Sequence, residues 1–304
     1  MDGRNRTVAT EFILMGFTKH LQINVVLFVI FSSIYLTTIV GNGLIICIIF
    51  FQQHLHTPMY YFLCNLAFID FCYSSSTLPR LLVDLFSVVR SISLTACLTQ
   101  VYVSLFLGET ECFLLAVMAY DRYVAICHPL HYPLLMHWGM CHRLTTFSWV
   151  GSFTMSIVPS VIKPAELCYP NQVNHFMCEI IAMLKLACND THDSELMIFL
   201  FSFLSLLLPF LFIMVSYICI LLSIIKMKST GRSKAFSTCT SHITVVVLFY
   251  GTAMFMYFGP SSQYASNQAK YISIFYVAII PMLNPLIYSL KNKEVLTAVL
   301  SRRK

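Results

Sequence analysis

Seven long apolar stretches run through the sequence and limit the folds open to it. They lie near Asn24–Phe50, Met59–Leu82, Cys97–Tyr123, Leu144–Ile162, Glu195–Ile225, Ala235–Phe258 and Tyr271–Leu290. Each is close to or longer than the about 20 residues an α-helix needs to cross the hydrocarbon of a bilayer. A membrane barrel would show roughly ten-residue segments of alternating hydropathy instead, and these stretches do not alternate. The second, third and seventh carry polar residues that dilute their hydropathy. Composition closes the soluble alternative. Of 304 residues, 58% are hydrophobic and 11% charged, with a mean hydropathy of +0.77, against about 45–50% and about 25% in an ordinary globule. A soluble fold lacks the interior to hide that surface, so lipid must cover the remainder. The expected fold is all-α and membrane-embedded: a seven-transmembrane helix bundle with a short C-terminal amphipathic helix that turns Val295, Leu296 and Leu300 toward lipid.

No internal repeat, low-complexity segment or long linker divides the chain, so residues 1–304 read as one domain. Residues 1–23 form an extracellular N-terminus, 24–290 the bundle, and 291–304 a cytoplasmic helix and tail. The first 23 residues lack the basic, apolar and small-residue succession of a cleaved signal, so the first span is expected to serve as an uncleaved targeting signal.

Orientation follows from charge. With the C-terminus inside, the inner loops and tail hold Arg122, Arg143, Lys226, Lys228, Arg232, Lys234, Lys291, Lys293, Arg302, Arg303 and Lys304 against Asp121 and Glu294. The outer side is balanced. Lys and Arg favour the cytoplasmic side, so the N-terminus is expected outside. Two glycosylation sequons, Asn5-Arg6-Thr7 and Asn189-Asp190-Thr191, then both fall outside. Each triplet is weak alone, and Asn5 is the stronger candidate. Eight of the twelve Cys lie in or near the apolar stretches, where a small buried hydrophobe is the plain reading. Cys97, Cys168, Cys178 and Cys188 lie toward the oxidising exterior, where disulfides form. Four Cys permit three pairings, and spacing does not choose among them.

Charged groups inside a bilayer are costly and usually mark function. Asp70 in the second span, Asn42 in the first, Glu111 in the third and Asn284 in the seventh could converge on one buried polar cluster. An oxygen-only set with two acids suits a hard cation. The plain alternative is an acid that stays protonated and hydrogen-bonds its neighbours. Glu109 points about 200° away from Glu111 around the helix, so it is expected to face an adjacent helix or an outward-facing cavity. It reads either as a protonated structural group or as a polar anchor for a ligand. Asp121-Arg122-Tyr123 ends the third span; alone, such a pair is a local ion pair worth little. Pro79, Pro159, Pro209, Pro281 and Pro285 interrupt helices and free backbone groups there.

These residues bring a family into view. Asp121-Arg122-Tyr123, Asn284-Pro285-Leu286-Ile287-Tyr288, Asn42, Asp70 and Cys97 resemble the landmarks of rhodopsin-like (class A) G-protein-coupled receptors. Over nearly its whole length the chain resembles the odorant (olfactory) receptors. LHTPMY at Leu55–Tyr60, MAYDRYVAIC at Met118–Cys127, SY at Ser216–Tyr217, KAFSTCTSH at Lys234–His242 and PMLNPLIYSL at Pro281–Leu290 carry the likeness. A lone DRY is a weak signal; five segments in order on the expected elements are a strong one.

The resemblance implies a plasma-membrane receptor that binds small volatile molecules between its helices. It would activate the olfactory stimulatory G protein and raise cyclic AMP. It implies the disulfides Cys97–Cys178 and Cys168–Cys188, and a sodium ion at Asp70 and Glu111, with no other cofactor required. Arg122 would be held through Asp121 at rest and released toward the G protein on activation, with Tyr123, Tyr217, Asn284, Pro285 and Tyr288 in the same machinery. The basic inner loop (KMKSTGRSK) and Lys291–Lys304 would meet that partner or anionic lipid, and trafficking chaperones are further partners. No nucleic acid is expected. Phe249-Tyr250-Gly251 stands where most rhodopsin-like receptors carry a Trp-Pro toggle, a substitution typical of odorant receptors.

The ligand set implied by family geometry is Ser104, Leu105, Gly108 and Glu109 on the third span, Phe201 and Ser205 on the fifth, and Tyr250, Ala253, Met254 and Tyr257 on the sixth. Aromatic and Met stripes in a bundle are often packing only. Two departures from the family stand out. Glu109 replaces a small residue, which favours a ligand with a hydrogen-bonding or basic group, and Tyr169 replaces a common Gly. Other function classes find little support. No paired half-repeats point to a transporter, and no HExxH or nucleophile-elbow pattern points to an enzyme. A receptor for an amine or peptide is the nearest rival, which Glu109 keeps open.

Overall fold

The apolar stretches are helical, and their ends are fixed by what flanks them. The computed structural model describes residues 9–18, 20–162, 166–226, 229–258 and 263–290. Asn5, Lys228 and the expected tail helix at Val295–Leu300 lie outside the described residues. Helix α1 spans Leu21–Phe51. Helix α2 (Pro58–Asp84) opens with proline in its first turn, where the missing N–H costs no hydrogen bond. Helix α3 (Leu94–Cys127) is capped by the Ser93 hydroxyl, which accepts from the Ala96 N–H at 3.3 Å. A one-turn α4 (Tyr132–Leu135) leads into α5 (Trp138–Ile162). A short α6 (Ile180–Leu184) lies in the loop that follows. Then α7 (His192–Ser202) continues through a π turn into α8 (Leu208–Lys226). Helix α9 covers Ser229–Phe258, and α10 (Gln263–Ile274) continues through a second π turn into α11 (Ile280–Leu290).

The two π turns have one cause. Phe203–Leu207 precedes Pro209, and Phe275–Ile279 precedes Pro281. A proline ring clashes with the carbonyl four residues back and offers no N–H to it. Those carbonyls belong to Ser205 and Val277, inside the two turns. Widening the turn to i→i+5 relieves the clash: Leu208 donates to the Phe203 carbonyl and Ile280 to that of Phe275.

Helix α3 is the central pillar, packing on α2, α5, α8 and α9, while α1 packs on α2 and α11. The α1–α11 contact is close because residue 41 is glycine. A Cβ there would lie 2.9 Å from Cγ of Pro285. Beside it, Asn42 Nδ2 donates to the Pro281 carbonyl at 2.9 Å, meeting an acceptor that the helix leaves free.

Among the described residues, five helices are long and apolar enough to cross a membrane by length and composition: Leu21–Phe51, Leu94–Cys127, His192–Lys226, Cys239–Phe258 and Lys270–Tyr288. Only 17% of the most apolar stretch of α1, and 28% of that of His192–Lys226, is buried by protein. Leu36, Val29, Val215 and Leu222 stand exposed on these faces. Such continuous apolar surface needs lipid. Helices α2 and α5 are as long but diluted by polar residues such as Asn65, Asp70 and Arg80, and His142, Arg143 and Thr145.

The bundle also carries a small sheet. Strand β1 (Glu11–Leu14) pairs antiparallel with β2 (Ser91–Ser93) and parallel with β3 (Gln172–Val173), in the order β2-β1-β3. It ties the segment before α1 to the α2–α3 loop and the long α5–α7 loop. Phe12, Leu14, Ile92 and Val173 form a second core with Cys97, Cys178 and Met183. This corrects the wholly α-helical expectation. Strands of two to four residues are too short to show a period in sequence.

Candidate functional site

At the end of the bundle that carries the sheet, the helices part around a cavity of about 190 Å³. Helix α3 contributes Ser104, Leu105, Gly108 and Glu109; α7 and its π turn contribute Phe201 and Ser205; α9 contributes Ala253 and Tyr257. Tyr250 and Met254 do not line it. Tyr250 is fully buried, its hydroxyl donates to the Cys112 carbonyl at 2.9 Å, and its ring packs on Phe210 and Phe249. It joins α9 to α3 rather than facing a ligand. Met254 packs against the central core as a half-buried side chain.

Several lining residues were not foreseen: Tyr73 from α2, Met155 from α5, Ile198 from α7, Tyr276 from the second π turn, and Met177 and Glu179 from the long loop. The loop residues had a usable signal. Cys178 bonds Cys97 at the start of α3 (Cα–Cα 5.4 Å), which draws its neighbours over the bundle. Glu111 also borders the cavity, although Glu109 does too. Residues two apart are separated by about 200°, so the cavity wraps round α3 instead of touching a single face. Glu109 Oε2 is buried and has no hydrogen-bond partner among the described residues.

The long loop is anchored as a cap. Cys168 bonds Cys188 (Cα–Cα 5.8 Å). Gln100 Oε1 accepts from the Cys178 N–H at 2.9 Å. His175 hydrogen-bonds Ser273 at 3.1 Å and stacks on Phe176, which stacks in turn on Phe17. Burial, then the Lys270 charge, pushes the His175 imidazole down to about 3. Glu179 accepts from the Ala182 N–H at 3.1 Å as the cap of α6, and burial pushes its carboxyl up. Asn189 accepts from the Glu166 N–H at 3.1 Å, within the bridged loop.

Below the cavity lies the polar cluster. Asn284 Nδ2 donates to Asp70 Oδ2 at 2.9 Å, and Asp70, Glu111, Asn42 and Asn284 are all buried. Asp70 Oδ1, Glu111 Oε1, Asn42 Oδ1 and Asn284 Oδ1 have no partner among the described residues. Buried oxygens with spare lone pairs, and no nitrogen or sulfur donor in the set, fit a hard cation.

At the far end of α3, Asp121 and Arg122 do not pair with each other. Asp121 Oδ1 accepts from the Tyr132 hydroxyl at 2.7 Å, and the Arg122 guanidinium lies against the Met59 sulfur. This corrects the expected local pair: neighbours on a helix diverge by about 100°, so their side chains do not face each other. Tyr123 hydrogen-bonds His128 at 3.0 Å, and Tyr217 hydrogen-bonds His242 at 2.7 Å. Pro285 is buried against α1, and Tyr288 is buried with no partner for its hydroxyl among the described residues.

Comparison with known proteins decides the family. The olfactory receptor family profile matches residues 31–302. Mouse olfactory receptor 2A7 is 48% identical over 295 residues, 96% of this chain and 95% of its own. Human olfactory receptor 5A2 is 45% identical over 299 residues, 98% of this chain and 92% of its own. This chain belongs to the olfactory receptor family. The crystal structure of squid rhodopsin superposes with a TM-score of 0.71 at 19% identity, covering 93% of this chain and 86% of the other, which shows a shared fold. Membership makes the chain a multi-pass membrane receptor and not an enzyme, with a small molecule and a G protein as the partners the family implies.

Proposed function

We propose that this olfactory receptor binds a small volatile molecule in the cavity beside α3 and activates the stimulatory olfactory G protein, raising cyclic AMP. The cavity is the observation that carries the reading. It is mostly apolar with few polar groups, as ligand sites are, and smaller than the roughly 300–1,000 Å³ of a drug-sized site. The chain crosses the plasma membrane seven times, with the N-terminus outside and the C-terminus inside. The excess of inner Lys and Arg, the two sequons and the disulfide-bridged cap support that orientation. Asn5, in the outer N-terminal segment, carries a glycan.

A ligand shifts such a receptor only by binding one conformation better than the other. Helices α7–α8 and α9 line the cavity and pack on α3, and the π turns between α7 and α8 and between α10 and α11 are the places where helical hydrogen bonding is already loosened. Their displacement opens the far end of the bundle. Arg122 then leaves Met59 for the G protein, with Tyr217 and Tyr288 rearranging beside it. Asp70, Glu111 and Asn284 hold a sodium ion that favours the resting packing. Anionic lipid and trafficking chaperones complete the set of partners.

The test is cyclic AMP output from cells expressing the chain with the olfactory G protein, challenged with volatile amines, acids, alcohols and esters. The expected result is a dose-dependent response that Arg122→Ala abolishes at equal surface delivery. A response of unchanged size in Arg122→Ala would overturn the coupling role, and silence from well-delivered receptor across the panel would count against the function.

A further inference from the structure

The cavity lining is electrically one-sided. It contains Glu109, Glu111 and Glu179, and no Lys, Arg or His among the described residues. The three acids have different commitments. Glu179 caps α6 through the Ala182 N–H, and Glu111 lies with Asp70 and Asn284 in the polar cluster. Glu109 has neither: its Oε2 is buried, and no side chain or backbone group among the described residues bonds it. A buried carboxyl without a partner is costly, because the group loses water and gains nothing in exchange. Such a group persists where something absent from the chain completes it. The cavity is where that complement would sit.

The rest of the lining narrows the chemistry. Tyr73, Tyr102, Tyr257 and Tyr276 line the same space, and aromatic rings attract cations. Tyr257 lies within electrostatic reach of Glu109. Alkylammonium groups donate three hydrogen bonds and accept none, and they stay charged at neutral pH as a Lys side chain does. We propose that the cavity selects a small cationic ligand, an alkylamine whose ammonium group docks on Glu109 with its chain among the apolar and tyrosine side chains. This rests on the cavity being the odorant site.

The test uses full-length receptor and a matched trio of probes: hexylamine, 1-hexanol and hexanoic acid. Binding is read by thermal shift of purified receptor in nanodiscs, and signalling by cyclic AMP at equal surface delivery. Hexylamine is expected to act at concentrations about ten-fold or more below 1-hexanol, the scale of one hydrogen bond to a charged group. Glu109→Gln, of equal size but uncharged, should erase the difference, and Glu109→Asp should restore most of it. Equal potency of hexylamine and 1-hexanol, an amine preference surviving in Glu109→Gln, or no binding of any of the three would overturn the inference. Hexylamine binding that depends on Glu109 but raises no cyclic AMP would uphold it and remove the G-protein reading. Signalling by 1-hexanol without an amine preference would do the reverse.

Discussion

Asp70, Glu111 and Asn284 illustrate how a few buried atoms decide what a membrane helix is for. Each is buried and leaves an oxygen without a partner among the described residues, and such groups are stable only if something neutral or cationic satisfies them. Raising NaCl at constant ionic strength, with choline replacing sodium, should therefore increase the thermal unfolding temperature of the purified receptor. Asp70→Asn should abolish that increase. A sodium effect of unchanged size in Asp70→Asn would remove the ion from this site. The same residues show what sequence can convey at this scale. Intramembrane acids announce themselves by rarity, so Asp70, Glu109 and Glu111 were legible. Direction was not: the family resemblance implies Tyr250 as a ligand contact, and only the bond from its hydroxyl to the Cys112 carbonyl shows that it faces α3.

The elements were legible in proportion to their length. A stretch such as Asn24–Phe50 differs from α1 (Leu21–Phe51) by only a few residues, because the bilayer fixes how much apolar chain a helix needs. Where helices extend past the hydrocarbon, the signal fades. Helix α5 begins at Trp138, six residues before its apolar run, through the polar segment containing His142 and Arg143. The cap over the cavity was legible only in its two disulfides, which the family resemblance implies; its strands are too short for a pattern and its packing joins three distant segments. That cap carries a prediction of its own. The buried His175 titrates near 3, while an exposed His titrates near 6.5. Between those values the unfolded chain binds the extra proton, so stability rises with pH there. It is complete above about 6.5 and is lost progressively as pH falls toward 3. Thermal unfolding followed from pH 7 to pH 5 should show a falling midpoint, and His175→Gln should flatten the fall. An identical slope in His175→Gln would shift the acid sensitivity to another group.

On the scale of the whole molecule, one arrangement links a small cavity beneath a bridged cap to a basic, Arg122-bearing end, about 15 Å further along α3 from the lining residue Cys112. Its relatives share that sequence plan from end to end, and the family was legible because its motifs sit at the polar hubs just described. The ligand was less so, since specificity lies in which side chains turn inward. Gly108 offers the most direct test of the cavity's role. A Cβ there would meet nothing within 4 Å, so a larger side chain enters open space without disturbing the helix packing. The decisive measurement is cyclic AMP output from Gly108→Leu beside the wild type, across the volatile panel, with surface delivery matched. A delivered Gly108→Leu receptor that loses its odorant responses, or needs at least about ten-fold more ligand, is the predicted result. Unchanged potency for every active odorant would contradict the claim that the ligand acts from this cavity.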